Sequence, residues 1–256
     1  MIENLPPVTP VAAPVAHAKP WLSRALVWVF GVWCAAIVAL LALLQHTSAD
    51  PVGRAIARMA LGLVIIWIVG GGTIALLARR AAQRWLQRFA RHWRLTFVLG
   101  ATALALLEEA VTTSMTNLAP LWGVPISKAH ITASGNYLDV VLLHSVIVFV
   151  PMFVVWSWLL ARYDFAPSAV FVLFGITGCL AEAGTFGPQN LAQMGFWVYV
   201  YGLMVWLPAY AAPPERGARR PGVVATLLAI ILPIVAAIPV AIVVQAIHGA
   251  FFAGLP

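Results

Sequence analysis

Residues 223–247 read VVATLLAIILPIVAAIPVAIVVQAI, an apolar run that contains no charged side chain. A helix needs about 20 apolar residues to cross the hydrocarbon core of a bilayer, and this run exceeds that length. Comparable runs recur along most of the chain and predict seven spans. The predicted spans cover residues 22–44, 57–77, 95–116, 138–161, 168–186, 193–212 and 223–247.

The composition is typical of a chain that lies in lipid. Of 256 residues, 62% are hydrophobic and only 9% are charged, whereas a soluble domain carries about 25% charged residues. Backbone groups in lipid must be hydrogen-bonded within the protein, and such long uninterrupted runs exclude the alternating strands of a barrel. We therefore expect an all-α fold, a polytopic integral membrane bundle of about seven transmembrane helices.

The net charge of +7 indicates topology rather than nucleic-acid binding, because the basic residues lie in short loops between apolar spans. If the N-terminus lies inside, the outer side carries Arg54, Arg58 and Lys128, and the other twelve of the fifteen Lys and Arg residues lie inside. This distribution satisfies the positive-inside rule. We expect a multi-pass protein of a plasma membrane of the bacterial inner-membrane type, with no nucleic-acid partner and with protein partners unspecified.

Two segments outside the spans have distinct compositions. Residues 1–20 contain five prolines and predict a disordered cytoplasmic tail, followed by a transmembrane domain over residues 21–256. Between the second and third spans, arginines recur at helical spacing beside Trp85 and Phe89. This pattern predicts an amphipathic cytoplasmic helix at about 79–94, whose basic face contacts anionic lipids.

Four ionisable side chains lie away from the ends of the predicted spans, namely Glu108, Glu109, His144 and Glu182. Such residues are costly in lipid and usually face protein or a wet cavity. A helical rise of 1.5 Å per residue places Glu109, His144 and Glu182 in one layer, about 9 Å below the outer boundary. The shared depth predicts one polar site that opens outward, with these four residues as its catalytic candidates.

Further polar residues flank this layer and are candidates for substrate contact or for support of the site. They are Thr112, Thr113, Asn117, Asp139, Gln189 and Asn190. Carboxylate and imidazole groups can hold Zn, Mn or Fe, so a divalent metal on Glu109, His144 and Glu182 is chemically reasonable. No His-Glu-x-x-His or Glu-x-x-His spacing supports a metal, and the identity of any cofactor stays open.

The arrangement of Glu108-Glu109, His144 and a later polar group is loosely similar to the CAAX-processing and bacteriocin-processing family of intramembrane proteases. The similarity covers three short motifs. Thr113 stands where that family has an arginine, and Glu182 stands in place of its later histidine motif. These two departures leave the family unassigned.

Three classes of function remain open from the sequence. A mixed carboxylate and imidazole site favours an intramembrane hydrolase. Proton- or cation-coupled transport is the second class, since membrane Glu and His residues also relay charge. The inner halves of the third to fifth spans contain no ionisable side chain, which favours a one-sided site over a continuous path. The third class is a structural or assembly subunit in which the carboxyls only fix helix packing.

Overall fold

The computed structural model describes residues 20–252, and residues 1–19 of the predicted tail lie outside this part. Within it the chain is helical and contains no β-strand. Nine α-helices are present in the described range. They are α1 (Pro20–Thr47), α2 (Pro51–Leu63), α3 (Gly72–Gln87), α4 (Trp93–Asn117), α5 (Tyr137–Leu143), α6 (Val146–Arg162), α7 (Pro167–Phe186), α8 (Met194–Ala211) and α9 (Val223–Phe252).

The helices match the hydropathy pattern. Six helical stretches in the described part are long and apolar enough to cross a membrane, and one of them is the continuous stretch Pro51–Leu86, in which a π-helical segment joins α2 to α3. A seventh span results if α5 and α6 are counted together. The prediction of an all-α, multi-pass membrane protein is therefore confirmed, whereas the inside location of the N-terminus stays a prediction.

The segment predicted as an amphipathic helix at about 79–94 has different bounds in the structure. Its first part continues the second span as the end of α3, which stops at Gln87. A short 3-10 turn, Ala90–His92, follows and leads into α4. Trp85 and Phe89 stay exposed with their rings 5.4 Å apart, as expected of side chains that face lipid at a membrane boundary.

The fourth predicted span is not one straight helix. It breaks at His144 and Ser145, and α5 and α6 meet at an angle of 44°. The Val140 carbonyl accepts hydrogen bonds from both the backbone N and the hydroxyl of Ser145, at 2.9 and 3.1 Å. A serine hydroxyl that competes for a helix carbonyl bends the helix.

Helix α8 lies at the centre of the bundle and packs against α1, α3, α4 and α7. It contains no charged residue, and most of its side chains are buried. Glycine permits the closest of these approaches, since a Cβ added to Gly175 of α7 would lie 2.6 Å from the backbone of Val198. Small residues of this kind let membrane helices approach within van der Waals distance.

The connection between α4 and α5 folds back over the end of the bundle. Asn117 donates a hydrogen bond to the Gly135 carbonyl at 3.0 Å, and the Thr116 hydroxyl accepts one from Ile131 N at 3.2 Å. Val124 and Ala129 of this loop are buried against α2 and α4. The loop therefore forms a fixed roof at the predicted outer end, and we call residues 123–136 the roof loop.

A buried carboxylate cluster as the candidate functional site

The second half of α4 carries two consecutive glutamates into the bundle interior. Glu108 is 4% exposed and Glu109 is 7% exposed. The Glu109 carboxylate accepts a hydrogen bond from the Thr112 hydroxyl at 3.0 Å and one from Thr132 of the roof loop at 3.4 Å. The Ser145 side chain, at the bend between α5 and α6, lies near the same carboxyl group. Three separate segments thus converge on one carboxyl group.

The third carboxyl group belongs to Glu182 of α7 and is paired with a phenol of α8. The hydroxyl of the buried Tyr201 donates a hydrogen bond to Glu182 Oε1. Gly178 makes this pairing possible, because a Cβ at that position would overlap the Tyr201 ring. The same ring stacks on Trp197 and meets the edge of Phe149, so the phenol is held in place by aromatic packing.

Glu182 of α7 lies within electrostatic range of Glu108 and Glu109 of α4. We call Glu108, Glu109 and Glu182, together with Tyr201, the carboxylate cluster. Carboxyl groups that share a buried site cannot all ionise. Such a set can therefore hold one proton while another carboxyl carries a charge.

His144 lies at the edge of this region and contacts another acid. Its Nε2 atom is 3.6 Å from Asp139 Oδ2, and both side chains are partly exposed. Asp139 Oδ1 is buried and has no hydrogen-bond partner among the described residues. The contact from this bend to Glu109 comes from Ser145. The structure therefore joins the predicted residues His144 and Asp139 to each other.

Most of the other predicted site residues form hydrogen bonds with backbone groups. Asn117 bonds to the roof loop as described above, and the Gln189 and Asn190 side chains donate to the carbonyls of Phe186 and Gly187, at 2.6 and 3.2 Å. Thr112 contacts the carboxylate cluster directly. Thr113 is buried, and its hydroxyl has no hydrogen-bond partner within the described range.

The metal hypothesis gains no geometric support. Within residues 20–252, no group of three or more His, Cys, Asp or Glu side chains is arranged to hold a metal ion.

Three residues of the site were not predicted from the sequence: Thr132, Ser145 and Tyr201. The depth of Tyr201 could have identified it as a site residue. It lies seven residues after Met194, the start of α8, which is about 10 Å into the bilayer at the helical rise. Tyrosine in a membrane helix is more often an interfacial anchor, so the sequence alone does not mark Tyr201 as a site residue. Thr132 and Ser145 belong to a loop and a bend, whose positions hydropathy does not indicate.

The Glu182–Tyr201 pair leads to a stability prediction. Glu182→Leu should lower the free energy of unfolding in detergent by about 2 kcal/mol, because it leaves the buried Tyr201 hydroxyl without its acceptor. Glu182→Gln keeps an acceptor oxygen and should cost less than about 1 kcal/mol. Adding Tyr201→Phe to Glu182→Leu should recover part of the loss. Additive effects of the two substitutions would show that the pair does not interact.

Comparisons with protein-family models, with curated proteins and with solved structures give no match for this chain. The three short motifs that are similar to an intramembrane protease family thus have no support from overall similarity.

Proposed function

We propose that this multi-pass membrane protein is an intramembrane hydrolase that acts at the carboxylate cluster. The observation that supports it is the unequal setting of the acidic groups. Glu109 accepts hydrogen bonds from the hydroxyls of Thr112 and Thr132, which belong to two segments, whereas Glu182 is paired with a single phenol. Hydrogen bonds to a carboxylate favour its charged form. Two carboxyls in different environments can take the separate roles of base and acid.

In the proposed reaction Glu109 is the general base and Glu182 is the general acid. The Glu109 carboxylate takes a proton from a water molecule, whose hydroxyl group adds to the electrophilic atom of the substrate. Protonated Glu182 gives its proton to the leaving group as the bond to that group breaks. The proton gained by Glu109 then passes to Glu182, directly or through Glu108, and the site returns to its starting state.

In this proposal the roof loop restricts the access of water to the carboxylate cluster. Thr132 touches Glu109 from the loop, and the loop itself is tied to α4 through Asn117 and Thr116. A site covered in this way limits the number of water molecules around the carboxyls and strengthens their electrostatic interactions. Substrate then reaches the cluster from the bilayer or by movement of the roof loop.

Proton- or cation-coupled transport is the second candidate, and one observation favours it. The helix pair α7 and α8 carries Glu182 and Tyr201 and also lines a large cavity, whose α8 residues run from Tyr199 to Tyr210. A transporter needs sites that are reached alternately from both sides. Coupled movement of this helix pair would connect them.

The hydrolase proposal can be tested without knowledge of the substrate. The protein is reconstituted in lipid nanodiscs and incubated with membrane lipid and peptide extracts in water labelled with heavy oxygen. A hydrolase transfers label from water into one product, which mass spectrometry detects. We expect labelled products that are absent from empty nanodiscs. Absence of label, together with Glu109-dependent proton flux in liposomes, would reject hydrolysis in favour of transport.

A further inference from the structure

A cavity of about 840 Å³ opens at the end of the bundle opposite the carboxylate cluster. Its walls come from the start of α1, from α3 with the π-helical segment before it, from the start of α7 and from the part of α8 between Tyr199 and Tyr210. Its size falls within the range of about 300 to 1,000 Å³ that is usual for ligand sites. By the positive-inside argument, this end faces the cytoplasm.

The deeper part of the cavity is apolar and faces the bilayer. Trp28, Val69 and Leu76 line it, and they are 76%, 58% and 52% exposed. Large apolar side chains that line a cavity and are also this exposed form a lateral opening toward lipid rather than toward water. Phe171 and Leu203 close the inner side of the same cavity. An acyl chain can therefore enter from the membrane without crossing a polar barrier.

The other end of the cavity is basic. Arg24, Arg79 and Arg216 line it, and Asp164 is the carboxylate found there. Arg216 has a structural role, since it forms an ion pair with Asp164 at 2.9 Å and donates hydrogen bonds to the carbonyls of Leu160 and Pro213. Burial lowers the pKa of the Arg216 guanidinium, and the Asp164 carboxylate opposes this shift.

Arg24 and Arg79 are left to interact with a ligand. Neither forms an ion pair with a carboxylate of residues 20–252, and Arg79 lies 6.0 Å from the ring centre of Tyr210. Gln83 and Ser168 add hydrogen-bonding groups beside them. Arginine is well suited to a phosphate, because its planar group can donate two parallel hydrogen bonds.

We propose that this cavity binds one anionic phospholipid of the surrounding bilayer, with its phosphate at Arg24 and Arg79 and an acyl chain along Trp28, Val69 and Leu76. The inference is independent of the proposed hydrolase activity. Charge complementarity identifies the occupant, because anionic lipids are concentrated in the cytoplasmic leaflet and the basic end of the cavity lies on the predicted cytoplasmic side. The lateral apolar opening selects a lipid over a free anion.

The proposal is tested by native mass spectrometry of the delipidated full-length protein, titrated with phosphatidylglycerol. We expect one retained lipid per protein at low lipid concentration. The double variant Arg24→Gln/Arg79→Gln should lower the apparent affinity at least about tenfold. The control is Lys128→Gln/Arg220→Gln, which removes two exposed cations outside the cavity and outside the basic segment 79–94 and should leave binding unchanged.

A second variant tests the shape of the cavity independently of its charge. Gly72 lines the cavity, and a Cβ there would meet Leu203 at an ordinary contact distance of 3.7 Å. Gly72→Leu should therefore fold normally, reduce the cavity and weaken lipid retention. Phosphatidylcholine should bind more weakly than phosphatidylglycerol, and inorganic phosphate or glycerol phosphate should not compete.

Three results would overturn the proposal. Equal retention of the zwitterionic lipid would show that the charge of the lipid does not determine binding. Competition by inorganic phosphate would indicate a site for a free anion. Unchanged binding in both the arginine double variant and Gly72→Leu would place the retained lipid elsewhere on the protein surface.

Discussion

Replacing Gly175 by leucine should lower the free energy of unfolding by at least about 4 kcal/mol. A Cβ at this position would lie 2.6 Å from both the Cα and the carbonyl oxygen of Val198. These are backbone atoms that cannot rotate away, so α7 and α8 would have to separate. Because α8 lies at the centre of the bundle, that separation would also disturb its contacts with α1, α3 and α4. Unfolding by SDS titration in mixed micelles measures the loss.

The matched control for this substitution lies on the same helix. A Cβ at Gly184 of α7 would have no atom within 4 Å. Gly184→Leu should therefore change the stability by less than about 1 kcal/mol, because it adds a side chain to open space and improves helix propensity. Similar unfolding curves for the Gly175 and Gly184 variants would mean that α7 and α8 do not approach each other at Gly175.

Glu109→Gln should reduce the release of labelled product in the heavy-oxygen assay at least about 100-fold, the usual lower effect of removing a general base. The amide matches the carboxylate in size and can still accept a hydrogen bond from Thr112, but it cannot take a proton from water. The fold should persist, since the Thr112 hydroxyl also lies 3.3 and 3.2 Å from the carbonyls of Glu108 and Glu109. Product formation and thermal stability are measured on the same preparation.

Glu215→Gln provides the control for this prediction. Glu215 is an exposed carboxylate of the connection between α8 and α9, so the same chemical change is made far from the cluster. It should leave product formation unaltered. Full activity of Glu109→Gln would exclude Glu109 as the base. Loss of activity together with loss of folding would assign Glu109 a structural role.

The positions of the spans could be predicted from the sequence because apolar runs longer than a bilayer core are visible without a structure. Equal depth also predicts that Glu109 and Glu182 lie in one layer, and this prediction is tested by the cross-linking experiment below. The helical rise supplies that depth without any knowledge of which helices pack together. Both inferences depend on distance along single helices.

The bend at His144 and the contacts of Tyr201 depend instead on interactions between segments. Hydropathy is continuous through residues 138–161, and the break comes from one serine hydroxyl that bonds to the Val140 carbonyl. Tyr201 reaches Glu182 only because Gly178 lets its ring lie against α7. The sequence therefore could not decide whether His144 or Ser145 meets Glu109, nor identify the phenol that pairs with Glu182.

The convergence of α4 and α7 at the carboxylate cluster can be measured by cysteine cross-linking. Cysteines are placed at positions 109 and 182 after Cys34 and Cys179, which are free thiols, have been replaced by alanine. A short bifunctional thiol reagent is added to the membrane-embedded protein, and linked peptides are identified by mass spectrometry. The control pair uses Thr102→Cys, two helical turns deeper on α4, with Glu182→Cys. We expect efficient linkage of 109 to 182 and little of 102 to 182, whereas equal linkage of both pairs, or linkage of the deeper pair alone, would contradict a shared carboxylate site.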